Sequence, residues 1–235
     1  MKYMRTYKII LNCFLVLILF ISCKNEPKET KEKNEDAVFV EELNTESETD
    51  KTLHTQFKIE PDLSTIYWTG SKPAGEHKGK LKVKSGEIIF NNDTLVSGKF
   101  SIDMNSISVL DLTGEEKKDL ENHLKGNIQG KEDHFFNVKK YPEALFIIKS
   151  ASKKIGFYSI YGELIMKGIS NSIKFKATIN FSRDFNTMKL TTENFEIDRT
   201  KWGIEYKSNS IFDDLKERFI YDEIGLQVIL KATRG

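Results

Sequence analysis

Four histidines, two cysteines and the Asp198-Arg199 pair are the side chains of this 235-residue chain best suited to reactive chemistry. The histidines are His54, His77, His123 and His134. None has a second histidine four residues away with a flanking glutamate, so the helix-borne zinc-protease pattern is absent and no metal site is assigned. His123 and His134 can converge from a helix and a loop, with Asp198 as a third member, to act as general acid and base at a cavity mouth. The alternative is that both bond loop backbone. Asp198-Arg199 reads as a structural ion pair near a strand end rather than a catalytic one. Trp202 and Tyr206 nearby would floor a ligand site or simply join the core. No Gly-x-Ser-x-Gly elbow occurs, and the Gly-Lys pairs at 79–80, 98–99 and 130–131 are not in a phosphate-cradling frame. No catalytic residue and no cofactor is assigned.

The elements that would position these groups are mostly strands. Ile173-Lys174-Phe175-Lys176-Ala177-Thr178-Ile179-Asn180-Phe181 alternates without a break, so one face is buried and the other meets water. Ile224, Leu226, Val228 and Leu230 repeat the pattern, as do Ile160, Leu164 and Met166 with Gly162 between them. Phe195 and Ile197 do so in a shorter segment. Further strands are expected over 65–71, 79–83, 87–90, 96–104 and 144–150. Asn91-Asn92-Asp93 and Ser170-Asn171-Ser172 read as turns. One short helix is expected over 113–123, where Thr113 and Glu116 have capping-box spacing. A loop then runs through Gly126, Gly130 and His134-Phe135-Phe136. About eight strands at short spacing suggest a sandwich or a closed barrel, antiparallel in either case.

The cysteines belong to the first 23 residues. Lys2, Arg5 and Lys8 precede an apolar run from Ile9 to Phe20, too short to span a bilayer and shaped like a signal peptide. Phe20-Ile21-Ser22-Cys23 resembles a bacterial lipobox, so residues 1–22 are expected to be cleaved and Cys23 to carry diacylglycerol. Two acyl chains hold a protein on a membrane where one does not. Cys13 would leave with the leader, so no free thiol would remain. From 23 to 52 the chain is acidic and nearly devoid of apolar residues, and reads as a disordered tether. The domain then occupies 53–235. A formal net charge of +1 gives no reason to expect nucleic acid as a partner.

Four motifs in order resemble the YceI-like family, the lipocalin-like polyisoprenoid-binding proteins of bacteria. His123-Leu124 supplies its His-Leu pair. Asp133-His134-Phe135-Phe136-Asn137-Val138-Lys139-Lys140-Tyr141-Pro142 follows after an insertion. Gly162 to Ser170 matches a later strand and turn, and Ile197-Asp198-Arg199-Thr200-Lys201-Trp202-Gly203 matches the next block in full. Asp222 to Ala232 matches the closing strand. Ile66-Tyr67-Trp68-Thr69-Gly70, with Lys72 and His77 further on, replaces the family's usual N-terminal motif at one end of the barrel.

The resemblance implies an all-β fold: an eight-stranded antiparallel lipocalin-like barrel with one short helix and a loop insertion. It also implies an isoprenoid lipid as ligand and partner, free or as a quinone tail. The proposed lining is Leu164, Met166, Ile173, Phe175, Ala177, Ile179, Leu226 and Val228, with Trp202. Family-motif positions are His123, Leu124, Phe135, Phe136, Tyr141, Pro142, Asp198, Arg199 and Gly203. Burial yields ~0.8 kcal/mol per methylene, against an association cost on the order of 4–15 kcal/mol, which favours a cargo of some tens of carbons. The expected role is sequestration or transfer of a lipid by an envelope lipoprotein. A lipid-modifying enzyme and a filled-core interaction domain are the alternatives. Lys24 after Cys23 is not an obvious inner-membrane retention signal, which favours the outer membrane, facing the periplasm or exposed at the surface. A homodimer is left open.

Overall fold

A computed structural model describes residues 54–235. The leader, Cys23 and the tether lie outside the described residues. Ten strands follow in chain order: β1 (His54–Ile59), β2 (Thr65–Lys72), β3 (Gly75–Asn91), β4 (Thr94–Val109), β5 (Glu143–Lys153), β6 (Tyr158–Met166), β7 (Ile169–Phe181), β8 (Thr187–Thr192), β9 (Phe195–Asp198) and β10 (Glu223–Arg234). One helix, α1 (Gly114–Lys125), lies between β4 and β5.

All strand pairings in the sheet are antiparallel. The order β10-β2-β3-β4-β5-β6-β7-β8 returns to β10, so eight strands close a barrel-like ring. The ring is the expected fold, with β1 and β9 added to it. β1 bridges β3 and β10, and β9 pairs with β10 ahead of the β8 contact. Closure removes the unpaired edges that an open sheet would expose.

β3 is longer than the two segments expected from the sequence. Its ladder with β4 shifts register between Val83 and Ser85, which hides a single strand inside an interrupted pattern. β8 (Thr-Met-Lys-Leu-Thr-Thr) offers only two apolar residues to alternate, but both Met188 and Leu190 are buried. Asn92 turns the β3–β4 hairpin with φ 51°. The Ser170-Asn171-Ser172 turn is corrected: these residues pair within β7, opposite β6. The hairpin turns one step earlier, at Lys167 and Gly168, whose φ values are 50° and 77°. Two successive positive φ values match the twist of a two-residue hairpin, which Gly168 permits at no steric penalty.

α1 starts where expected, but its capping box does not form. Thr113 has no side-chain cap bond, because Gly114 takes φ 61° and turns the chain away at the first helical position. Gly126 ends the helix in the left-handed region with φ 75°, its N–H reaching the Asn122 and His123 carbonyls.

Strand direction gives the ring two ends. The β3–β4, β5–β6 and β7–β8 turns and the C-terminus share one end. At that end the interior is filled: Phe57, Phe90 and Phe181 meet in pairs with centroids 5.2–5.8 Å apart. The β2–β3 and β6–β7 turns, α1 and the long β9–β10 segment share the other end, the mouth.

Candidate functional site

Period-2 alternation aims one apolar row per strand into the mouth half of the ring. Ile66 and Trp68 come from β2, and Phe100, Ile102 and Met104 from β4. Ala144 and Phe146 of β5 face Leu164 and Met166 of β6, and Ile173 and Phe175 of β7 continue the wall. Leu226 and Val228 of β10 close it. Together they enclose a cavity of about 130 Å³. Aromatic rings make up much of the wall: Phe146 tilts against Phe100 and Phe175, each at 5.4 Å, and Phe175 stacks on Phe195 at 4.8 Å. Gly162 lets the Phe146 ring lie directly on the β6 backbone, since a Cβ there would sit 2.5 Å from the ring.

Of the lining proposed from the sequence, Leu164, Met166, Ile173, Phe175, Leu226 and Val228 line this cavity. Ala177 and Ile179 lie further along β7, toward the filled end, and line none of it. Trp202 is 1% exposed and donates its indole N–H to the Leu164 carbonyl at 3.0 Å, outside the cavity lining. Phe100, Ile102 and Met104 alternate within the expected 96–104 strand, so the same rule would have placed them in the lining.

A second space of about 250 Å³ sits at the mouth. Trp68, Gly70, Leu124, Phe135 and Ile220 line both spaces, which makes the second a vestibule to the first. Its remaining wall is more mixed: Ser71, Lys72, His77, Leu120, His123, Tyr206, Lys207 and Arg218. His77 Nδ1 lies 2.8 Å from Asp111 Oδ2. Lys72, Lys207 and Arg218 have no carboxylate partner within salt-bridge distance among the described residues. Lys72 belongs to the stretch that replaces the family's N-terminal motif, whereas Lys207 and Arg218 gave no signal in the sequence.

A YceI-like domain model matches residues 57–232. The chain belongs to the YceI-like family. A UPF0312 protein of Pseudomonas putida strain GB-1 is 30% identical over 105 residues, 43% of this chain and 48% of that protein. The chain thus spans about half the length of the curated relative it matches. The crystal structure of Burkholderia cenocepacia BcnA is similar with a TM-score of 0.59 at 18% identity, covering 74% of this chain and 99% of that one. A polyisoprenoid binding domain from Saccharophagus degradans, implicated in plant cell wall breakdown, has a TM-score of 0.54 at 10% identity, covering 76% and 98%. At these identities the two structures show a shared fold.

The YceI-like motif residues assemble the mouth. His123 of α1 and His134 of the following 3-10 turn bond each other, Nε2 to Nδ1, at 2.9 Å, rather than bonding loop backbone. His134 stacks on Tyr206 at 4.0 Å, and Phe135 packs edge-on to His123 at 5.1 Å. Burial holds both imidazoles below their usual range, helped at His123 by His134 and at His134 by Lys131. Lys167 Nζ donates to the Phe135 carbonyl at 2.7 Å and pins this loop to the β6–β7 turn. Leu124, Phe135 and Phe136 line the cavity from above. Tyr141 leads out of the loop, and the Pro142 carbonyl accepts from Met104 N–H at 3.0 Å at the start of β5.

The Asp198-Arg199 reading needs correcting in its partner. Arg199 is 2% exposed, and its guanidinium pairs with Asp222 at 3.3 Å. It also donates to the Tyr221, Ile204 and Ile220 carbonyls at 3.1, 2.6 and 3.1 Å. Asp198 instead accepts from Thr200 N–H and Oγ1, because a carboxylate one residue before a 3-10 turn caps it more readily than it reaches the next side chain. Gly203 closes that turn with φ 67°. Arg199 therefore staples both ends of the β9–β10 segment over the mouth. Asp198 lines neither space, so His123, His134 and Asp198 do not form one constellation.

Proposed function

We propose that this YceI-like protein binds a long apolar lipid, a polyisoprenoid or the isoprenoid tail of a quinone, inside its closed sheet. The observation that carries this reading is the apolar cavity in the mouth half of the ring, walled by inward-facing residues of eight strands. Its only charged lining residue, Arg199, is consumed by backbone and Asp222 bonds. An apolar void of such size stays dry and accepts an apolar guest. A space of about 130 Å³ suits the leading isoprene units, and the shared walls at Trp68 and Leu124 let the rest of a chain run toward the vestibule. The similar Saccharophagus domain, described as polyisoprenoid binding, supports the same class of cargo.

The protein would hold or hand over this lipid without covalent chemistry. It would do so from the bacterial envelope, anchored through diacylglycerol at Cys23, with residues 24–52 as its tether. The supporting observation for the anchor is the lipobox-like Phe20-Ile21-Ser22-Cys23.

The test is direct. Residues 24–235 are purified without detergent, extracted with organic solvent and analysed by mass spectrometry, then again after incubation with isoprenoid quinones. A stoichiometric isoprenoid is the expected result. A clean extract in both cases would remove the cargo reading. For the anchor, Cys23→Ala in the full chain should move the protein from the membrane to the soluble fraction.

A further inference from the structure

We infer that the filled end of the ring docks on an anionic phospholipid bilayer through two hairpin tips, Ile155 between β5 and β6 and Phe185 between β7 and β8. This inference rests on the envelope-anchored reading for the nearness of a bilayer, and it adds which end of the domain faces it.

Both tips carry residues that turn chemistry disfavours. Hairpin turns ordinarily take Gly, Asn, Asp, Pro or Ser. The β5–β6 turn is closed by Lys154 N–H donating to the Phe157 carbonyl at 2.8 Å, with Ile155 and Gly156 between them. Gly156 takes φ 83°, and the Ile155 side chain is fully exposed. Phe185 has φ 54°, an outlier for a bulky residue, and is 57% exposed. Phe185 does not hold its own turn. Asp184 does, accepting from Ser182 Oγ and from the Asn186 N–H and side-chain amide at 2.6, 3.2 and 2.9 Å. Backbone strain of this kind clusters at functional segments.

Charge points to what these tips meet. Lys153 and Lys154 directly precede Ile155, and Arg183 lies two residues before Phe185. None of the three has a carboxylate partner within salt-bridge distance among the described residues. No acidic residue falls between Glu143 and Glu163, along the hairpin that carries Ile155. An apolar tip flanked by cations suits the boundary between headgroups and acyl chains of an anionic bilayer. The mouth exposes apolar residues too, but Ile211 and Phe212 run straight into Asp213 and Asp214, which such a surface repels. The route of the chain agrees. His54 pairs with Asn91, beside the β3–β4 turn, so the domain is entered at its filled end. Residues 24–53 lead there from Cys23, and the tether read from their composition would span on the order of 30 Å. Docked so, the mouth opens away from the anchoring membrane. Contact through two side chains orients an anchored domain and does not replace the acyl chains at Cys23.

The test floats residues 24–235 with vesicles of phosphatidylcholine, alone or mixed with phosphatidylglycerol. All strands fall within His54–Arg234, so this chain contains the fold entire. The native chain should bind the mixed vesicles at least about tenfold more tightly, at about fivefold per basic residue near the surface. The difference should vanish at about 1 M salt, where the Debye length is about 3 Å. Lys153→Gln with Lys154→Gln should narrow it at low salt. Ile155→Ser with Phe185→Asn should weaken binding to the mixed vesicles at least about tenfold. Its guanidinium midpoint should stay close to native, since asparagine accepts a positive φ. Ile211→Ser with Phe212→Ser, at the mouth, should leave binding as it is. Equal binding to both vesicles, binding that survives the tip substitutions, or binding lost with the mouth pair would overturn the inference. So would a native chain that ignores vesicles and forms a dimer that the tip substitutions dissolve. Because this chain lacks Cys23, the result stands apart from the Cys23→Ala test of the anchor.

Discussion

Ala144→Phe separates a hollow interior from a filled one. Ala144 is 2% exposed, pairs with Ile102 across β4 and β5, and lines the cavity. A phenyl ring added there enters the open space. Void costs about 24 cal/mol per Å³, so filling the whole of about 130 Å³ would stabilise the empty protein by at most about 3 kcal/mol. Overpacking an already tight site typically costs about 1–3 kcal/mol. The net expectation is a variant between about 0 and 2 kcal/mol more stable than native in the absence of ligand. Guanidinium unfolding measures this through the midpoint at constant slope. Ligand should then act in the opposite sense. Farnesol at a hundred times its dissociation constant would add about 2.7 kcal/mol to the native protein and nothing to the variant. A variant destabilised by more than about 3 kcal/mol would show that no open space exists beside Ala144. A variant that keeps the farnesol shift would show that the chain binds elsewhere.

Two further predictions concern the mouth. The folded imidazoles of His123 and His134 resist protonation more than unfolded ones, whose ordinary value is 6.5. The stability they contribute is whole above pH 6.5 and falls as pH drops from there toward the depressed folded values. Unfolding midpoints at about pH 7.5 and 5.5 should differ in that direction, and His123→Gln with His134→Gln should flatten the difference. Arg199→Met strands the buried Asp222 carboxylate and should cost about 3–5 kcal/mol. Hydrogen exchange should show the β9–β10 segment opening first, and a loss under about 1 kcal/mol would refute the stapling role.

The fold was legible wherever one face of a strand meets water. β7 and β10 announce themselves, because burial on one side and solvation on the other write a period of two directly into the residue types. β1 and β8 are harder to see, since a six-residue strand gives alternation too few chances to repeat. β3 is broken in the sequence over 84–86, next to a register shift between Val83 and Ser85, but the strand continues. The cavity lining was partly legible for a related reason. Alternation tells which residues point inward, but not how far along the ring the core is filled. Ala177 and Phe175 are indistinguishable in the pattern, yet only Phe175 lines the cavity. The vestibule was legible only in part: His123, Tyr206, Lys72 and His77 stood out in the sequence, and Lys207 and Arg218 did not. Lys207 and Arg218 lie in a segment without periodicity, and their meeting with Lys72 depends on where Arg199 ties that segment down.

β10 is bonded to four other strands, two from the start of the chain and two from its second half. It is also the last strand of the ring to leave the ribosome. Until it arrives, β2 and β8 have no common neighbour, and both remain open edges. Closure of the ring therefore waits until residues 223–234 have emerged. Its pairings are distant in sequence, and such topologies fold slowly. The same delay makes early termination hazardous, since a chain cut before Glu223 would present two unsatisfied strand edges to its neighbours.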